Sequence, residues 1–240
     1  RFAYRGKLAK YRSNYGVKAH AHNVILFDGH GQKGGPKQVK KPLPETLYRI
    51  TPEFDYARGS FDRYENIQHG DARHTRAVLY VRGQFWVVVD RVQVEAPRTV
   101  TTLWHWHPDC TVETRDGRMR STDADKTNLS VQPLGDASWT IELVKGWDDG
   151  KNGLQGWYSR QYNSVEPNWA GLCTSQVEDT ATFVWLLLPG KDDVPACQGS
   201  VQPVDGDKLV DVRINLPGNR PYLLRIPINA NADEIRVKRE

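Results

Sequence analysis

Short runs of β-branched and aromatic residues recur along the whole chain, and glycine, proline, asparagine or aspartate bounds most of them. Runs of this length and composition favour β-strands, whereas the 3.6-residue period of an amphipathic helix is hard to find. Ten strands are predicted, over residues 23–28, 77–82, 85–92, 99–107, 110–115, 128–134, 138–145, 181–189, 208–215 and 221–227. The pattern therefore predicts an all-β fold, a large antiparallel sandwich of two sheets.

Two turns between these strands are specified by local sequence. Gly83 separates two of the runs, so that VRGQFW predicts a tight hairpin, and the pair Asp116-Gly117 suits a type I′ turn. By contrast, residues 29–44 and 186–208 are rich in glycine, proline and charged residues, and both segments predict loops.

The segment 186–208 is not expected to be a domain boundary, because the two or three strands that follow it could not form a stable core alone. We expect residues 1–240 to be one domain, in which residues 191–240 extend the same sandwich at its C-terminal end.

Charge is unevenly distributed along the chain. Residues 1–44 contain ten lysines and arginines and one acidic residue, whereas the remainder contains 23 basic and 28 acidic residues. This asymmetry predicts an anionic partner at the N-terminal end, although a solvated basic surface is an alternative. Zinc-finger spacing, helix-turn-helix patterns and RNP-like strands are not found, so no nucleic-acid partner is expected. An acidic polysaccharide fits the charge and the many tryptophans and tyrosines.

Cysteine spacing and hydrophobic run length narrow the class further. Three cysteines without a CxxC pair do not support a zinc ribbon or a redox motif. A Cys173–Cys197 bridge and buried free thiols are both compatible with the sequence. No apolar run approaches the roughly 20 residues of a transmembrane helix, so no membrane span is expected.

Histidines occur in two aromatic-rich stretches. The stretch LWHWHPD alternates Trp104 and Trp106 with two histidines, which predicts tryptophans in the core and histidines on the opposite face, sugar stacking being the alternative. The stretch VKAHAHNVILFDGHGQ contains His20, His22 and His30. On a strand His20 and His22 would share a face, so a metal site, a catalytic pair and a polar hairpin edge all remain open.

Three longer stretches carry a family resemblance. They are RFAY with AHNVILFDGHGQ (residues 1–32), HTRAVLYVRGQFWVVVDRV (residues 74–92) and LQGWYSRQY with TFVWLLLP (residues 154–189). Together they resemble the β-sandwich region of the heparinase II/III-like polysaccharide lyases. The resemblance implies an N-terminal α/α-toroid domain as partner, β-elimination at a uronic acid as the reaction, and a periplasmic or secreted protein.

The resemblance assigns a catalytic role to Tyr4, whose phenol would act as general acid or base. Because a phenol has a pKa near ~10, cationic neighbours are needed to stabilise a phenolate. Packing on the edge of the sandwich is the alternative role for Tyr4. The expected substrate-binding residues are Arg5, Lys7, Tyr11, Arg12, His20 and Trp157.

The resemblance also makes His22 a ligand of a divalent metal, zinc by preference, together with groups from outside residues 1–240. His20 could be a second ligand, a substrate contact or a surface histidine. His30 is expected in solvent, and structural roles are expected for Asn23, Asp28, Gly29 and Gln32.

The expected function is therefore part of a lyase that cleaves an anionic, uronate-containing polysaccharide and that is inactive as an isolated fragment. A non-catalytic carbohydrate-binding or scaffold module of the same fold is the alternative, because fold does not fix function. A nucleic-acid-binding β-protein is a weaker one.

Overall fold

The computed structural model describes residues 2–34, 42–151 and 153–240, and antiparallel strands dominate these residues. The strands are β1 (Ile25–Phe27), β2 (Tyr48–Ile50), β3 (Phe54–Phe61), β4 (Ala72–Val81), β5 (Phe85–Val94), β6 (Arg98–His105), β7 (Val112–Arg115), β8 (Arg118–Ser121), β9 (Thr127–Leu134), β10 (Thr140–Lys145), β11 (Trp147–Asp148), β12 (Leu154–Gln155), β13 (Trp157–Tyr158), β14 (Glu166–Pro167), β15 (Trp169–Val177), β16 (Thr180–Lys191), β17 (Gln198–Val204), β18 (Leu209–Asn215), β19 (Tyr222–Pro227) and β20 (Arg236–Arg239). The helical pieces are α1 (Ala9–Tyr11), a π-helical turn (Arg12–Gly16) and 3₁₀ turns (Ala19–Ala21, Glu45–Leu47, Ala232–Glu234).

The strands form three stacked layers. A central eight-stranded sheet has the order β2-β3-β4-β5-β16-β9-β8-β7. A four-stranded front sheet, β1-β6-β15-β10, packs on one of its faces, and a four-stranded back sheet, β17-β18-β19-β20, packs on the other. Two short ribbons, β11-β12 and β13-β14, lie in the chain between β10 and β15 of the front sheet. The predicted antiparallel sandwich is thus confirmed, and the back sheet adds a layer to it.

Burial on both faces explains why β5 is a continuous apolar run rather than an alternating one. Phe85, Val87 and Val89 pack toward the back sheet, whereas Val88 and Val92 pack toward the front sheet. A strand covered on one side only would place polar residues at every second position. The run FWVVV therefore indicates a strand in the middle layer of a three-layer structure.

All ten predicted strands correspond to observed strands, and the Asp116-Gly117 turn has positive φ at both residues, as a type I′ turn requires. The long strands β3 and β15 were not predicted. β15 lies between β6 and β10 in the front sheet, but its sequence is interrupted by Gly171. The segment 186–208 is not only a loop as predicted, because it includes β17. In the predicted loop 29–44, residues 35–41 lie outside the described residues.

The tryptophans of LWHWHPD lie in the core, as expected. Trp104 packs edge-on against Trp185 with ring centroids 5.6 Å apart, and Trp106 belongs to the same cluster. All three cysteines are free thiols. Cys173 lies in the cluster facing the front sheet and Cys197 in the cluster facing the back sheet, so they do not form the bridge considered above.

Replacing Gly171 by alanine should destabilise the protein, because the new Cβ would overlap the sulfur of the fully buried Met119. Overpacking a core costs about 1–3 kcal/mol, so the melting temperature should fall by several degrees. Gly59→Ala in β3 is the control, since its Cβ would meet no atom within 4 Å. Thermal unfolding measures both, and equal melting temperatures would contradict the packing described for β15.

Candidate functional site

A buried charged cluster lies between the central and front sheets. His74 and Arg76 on β4 face Asp90 on β5, and Arg76 is the direct cross-strand partner of Asp90. The Arg76 guanidinium donates two hydrogen bonds to the carboxylate, at 2.6 and 2.9 Å, and His74 Nε2 lies 2.6 Å from Asp90 Oδ1. Burial alone would raise the pKa of Asp90, but Arg76 and His74 hold it well below its usual range. Asp90 is therefore a carboxylate inside the core.

The same arginine connects this cluster to residues 2–24, which precede β1 and are called the N-terminal segment below. Arg76 Nη1 donates a hydrogen bond to the backbone carbonyl of Asn23. The Asn23 side chain in turn accepts a hydrogen bond from the backbone N–H of His105 at 2.8 Å, and its Oδ1 lies 3.1 Å from His105 Nδ1. Residues 22–24 are thus held from the central sheet and from β6 at once. Asn23 has the structural role that was predicted for it.

His105 is a functional candidate that sequence reasoning did not single out. Its Nε2 lies 3.2 Å from the side-chain nitrogen of Gln155 on β12. The pKa of His105 is lowered to about 4, chiefly by burial; a hydrogen bond with the His20 backbone opposes this shift, and the charges of His22 and His20 add to it. The only signal in the sequence was its position between the core residues Trp104 and Trp106.

The histidines of the N-terminal segment are not on a strand, so the prediction that His20 and His22 share a strand face is wrong. Ala19–Ala21 is a 3₁₀ turn, His22 follows it, and β1 begins only at Ile25. His20 Nε2 donates to the carbonyl of Gly29 at 3.0 Å, and burial lowers its pKa, whereas His22 is exposed. The chain reverses direction after Phe27, and the Phe27 backbone pairs with the backbone of His30 across this turn.

His30 is half-buried, not in solvent as expected. Asp28 and Gly29 form the predicted turn with positive φ, and Asp28 also accepts a hydrogen bond from Arg98 at 2.7 Å. Gln32 pairs with Tyr64. Across residues 2–34, 42–151 and 153–240, no three histidine, cysteine or acidic side chains converge as a metal site. These residues alone do not fit a complete zinc centre.

Tyr4 and Arg12 meet on the surface of the N-terminal segment. The Tyr4 side chain is 67% exposed, and the Arg12 guanidinium lies 4.1 Å from the centre of its ring. Tyr162, from the loop between β13 and β14, stacks on Tyr4 at 6.3 Å with an interplanar angle of 27°. Arg5 and Lys7 are exposed on the same segment. The structure therefore places the Arg12 guanidinium against the Tyr4 ring.

Tyr11 and Trp157 fasten the N-terminal segment to the short ribbons. Their rings meet edge to face at 4.9 Å, and the Trp157 indole donates to the backbone carbonyl of Trp147 at 2.8 Å. Beside them Lys10 pairs with Asp148 at 2.5 Å. Tyr15, whose pKa burial raises to about 12, lies with its hydroxyl 3.4 Å from the Trp157 backbone nitrogen. Trp157 is half-buried and anchors the segment.

Comparison with known proteins identifies the family to which this arrangement belongs. The sequence profile described as Heparinase II/III-like, C-terminal, matches residues 2–192. The chain belongs to this family. The match spans the N-terminal segment, the cluster around Asp90 and the ribbons. Among proteins with curated descriptions, none matches this heparinase II/III-like chain.

Solved structures with the same fold include a heparan sulfate lyase, HepC, from Pedobacter heparinus, with a TM-score of 0.71 and 18% identity over 95% of this chain and 33% of that one. A heparinase III has a TM-score of 0.71 and 16% identity, over 94% of this chain and 33% of its own. A second heparinase III structure has a TM-score of 0.66, 14% identity, and coverage of 88% and 30%. The heparinase II/III-like chain thus spans about a third of their length.

Within the described residues, no helix has the length and apolar character needed to cross a membrane.

Asp90→Ala should lower the free energy of unfolding of this heparinase II/III-like domain by about 3–5 kcal/mol, because it leaves the partly buried Arg76 charge and the buried His74 without their common partner. Asp211→Ala is the matched control, since Asp211 pairs with Arg225 on the exposed face of the back sheet, where a pair contributes about 0–1 kcal/mol. Urea titration gives both free energies of unfolding. Equal losses would show that the buried pair does not hold the sandwich.

Proposed function

We propose that this domain is the C-terminal β-sandwich of a polysaccharide lyase that cleaves an anionic, uronate-containing glycan by β-elimination. The observation that carries the proposal is family membership together with an exposed tyrosine whose ring contacts a guanidinium. The remaining two thirds of the enzyme, which we take to be an α/α-toroid, would complete the cleft. Because polymers of this kind lie outside the cell membrane, we expect a periplasmic or secreted enzyme.

β-Elimination needs three tasks at the uronate: neutralisation of the C5 carboxylate, removal of the C5 proton and protonation of the departing 4-oxygen. In the proposed mechanism Tyr4 acts as general acid or base: its phenol gives a proton to the departing 4-oxygen, or its phenolate takes the C5 proton. In either case the electron pair of the C5–H bond forms the C4–C5 double bond as the C4–O bond breaks. The Arg12 guanidinium lies 4.1 Å from the centre of the Tyr4 ring, so a positive charge stands beside the group that would exchange the proton. Tyr4 is exposed, so substrate can reach the hydroxyl without rearrangement of the core.

Substrate binding is assigned to the cationic surface around Tyr4. Arg5 and Lys7 are exposed and would attract the carboxylates of an approaching glycan. Tyr11 and Trp157 would shape one wall of this surface, and His20, held by the Gly29 carbonyl, would shape another. These residues act by binding and orienting, whereas the proton moves at Tyr4.

We further propose that His22 ligates a divalent metal, with zinc as the preferred ion. A neutral imidazole is a good zinc ligand, and His22 is exposed beside the corner that Asn23 and Arg76 hold. The other ligands would come from outside residues 1–240. The ion would supply positive charge near the cleft.

Tyr4→Phe in the full-length enzyme should lower kcat by at least about two orders of magnitude with little change in KM, because the ring remains but the proton-transfer group is lost. Absorbance of the unsaturated product measures turnover. Tyr162→Phe is the control, since Tyr162 stacks on Tyr4 and would also lose only a hydroxyl. Turnover near the unsubstituted level in Tyr4→Phe would remove Tyr4 from the mechanism. No turnover in the unsubstituted enzyme, with glycan binding retained, would favour a non-catalytic binding module.

His22→Ala should remove the metal from the full-length protein, whereas His30→Ala, a change in the nearby turn, should not. Elemental analysis should find about one equivalent of metal in the unsubstituted protein. The melting temperature of His22→Ala should also fall, because metal binding contributes to folding stability. Retention of the full equivalent in His22→Ala would place the metal elsewhere.

A further inference from the structure

Exposed aromatic side chains are concentrated beside the N-terminal segment. Six large hydrophobic side chains of the described residues are strongly exposed, and the three aromatic ones are Tyr4, Trp147 and Tyr162. Tyr162 stacks on Tyr4, and the Trp147 carbonyl accepts a hydrogen bond from Trp157, which contacts this segment. Exposed apolar groups gathered on one surface mark a binding site more strongly than the same groups scattered singly.

Trp147 lines a pocket of about 420 Å³ on the outer face of the front sheet. Val144 and Leu172, from adjacent strands β10 and β15, form an apolar floor. Asn14 and His20 come from the N-terminal segment, and Gln155 comes from β12. A concave apolar surface with a few polar groups at its margin is the usual form of a small-ligand site.

The position of the Trp147 indole is fixed by its neighbours. A Cβ at Gly153 would lie 2.7 Å from Cη2 and Cζ3 of Trp147, so the indole packs directly against the glycine backbone. Half of the side chain nevertheless remains exposed. The Trp157 ring, by contrast, packs edge to face with Tyr11, and its indole N–H donates a hydrogen bond to the Trp147 carbonyl. Trp147 is therefore the tryptophan that can present a ring to a ligand, and Trp157 supports it.

We propose that this pocket binds one sugar ring of the glycan, stacked on Trp147, next to the uronate held near Tyr4. The inference rests on the proposed function for the identity of the polymer. Aromatic rings pack against the apolar face of a sugar, while amides such as that of Gln155 bond its hydroxyls. Glu142 also lines the pocket, and its carboxylate would repel a second one. The pocket therefore favours a ring that carries no carboxylate.

Trp147→Ala in the full-length protein should weaken binding of the uronate-containing glycan about tenfold, as measured by titration calorimetry, because the stacking surface is lost. Trp147→Phe should retain most of the affinity. Gly153→Ala should weaken binding although the tryptophan remains, because the new Cβ would overlap both the indole and the Asp149 carboxylate and so disturb the position of the ring. Trp86→Ala is the matched control, since Trp86 stacks on Tyr80 in the β4-β5 hairpin.

Charge selection in the pocket has its own test. Glu142→Gln should tighten binding of a homopolymer of uronic acid severalfold, with little effect on a glycan whose uronates alternate with rings lacking a carboxylate. An equal effect on both polymers would overturn the assignment of an uncharged ring.

The pocket and the lyase activity can fail separately. Loss of glycan affinity in Trp147→Ala without any turnover in the unsubstituted protein would support the pocket and contradict the proposed reaction. Normal turnover with an unchanged dissociation constant and KM in Trp147→Ala would overturn the pocket. A lower melting temperature of that variant with unchanged affinity would also overturn it, and would assign Trp147 to a contact with the rest of the protein.

Discussion

The ion pair between Arg76 and Asp90 determines where the candidate site lies. An unpaired charge inside the sandwich would be strongly unfavourable, so the two side chains can be buried only together and with their hydrogen bonds satisfied. Asp90 uses both oxygens on Arg76 and one of them on His74 as well. The remaining arginine nitrogen reaches the Asn23 carbonyl. A core interaction thereby sets the position of the segment that carries His22.

The N-terminal segment has little regular structure of its own and depends on long-range contacts. Its helical pieces span three to five residues each, too few to be stable in isolation. Within this segment Tyr15 is buried, Tyr11 packs on Trp157, and Lys10 pairs with Asp148. A flexible basic stretch would attract a polyanion without orienting it. Here the contacts with Trp157 and Asp148 fasten the segment to the sandwich, as the proposed substrate-positioning role requires.

The two outer layers of the sandwich have different tasks. The back sheet covers one face of the central sheet with residues such as Val212 and Leu224, and so completes the main apolar cluster. The front sheet covers the other face, and its own outer surface carries the N-terminal segment and the pocket beside Trp147. Both outer sheets thus bury apolar clusters against the central sheet, while the front sheet in addition carries the surface at which a glycan is proposed to bind.

The sequence by itself determined the elements whose signal is local. Runs buried on both faces, such as β5, and turns that need positive φ, such as Asp116-Gly117, are encoded within a few residues. β15 was not predicted because Gly171 interrupts its pattern of strand-forming residues. That glycine is required by packing against Met119, which is distant in the chain. Tyr4 and Arg12 could be paired from sequence, since they lie close in the chain. Only the tertiary structure brought Gln155 close to His105 and Trp147 close to His20. Both contacts depend on the position of β15 between β6 and β10, and the order of strands in a sheet is not encoded locally in the sequence.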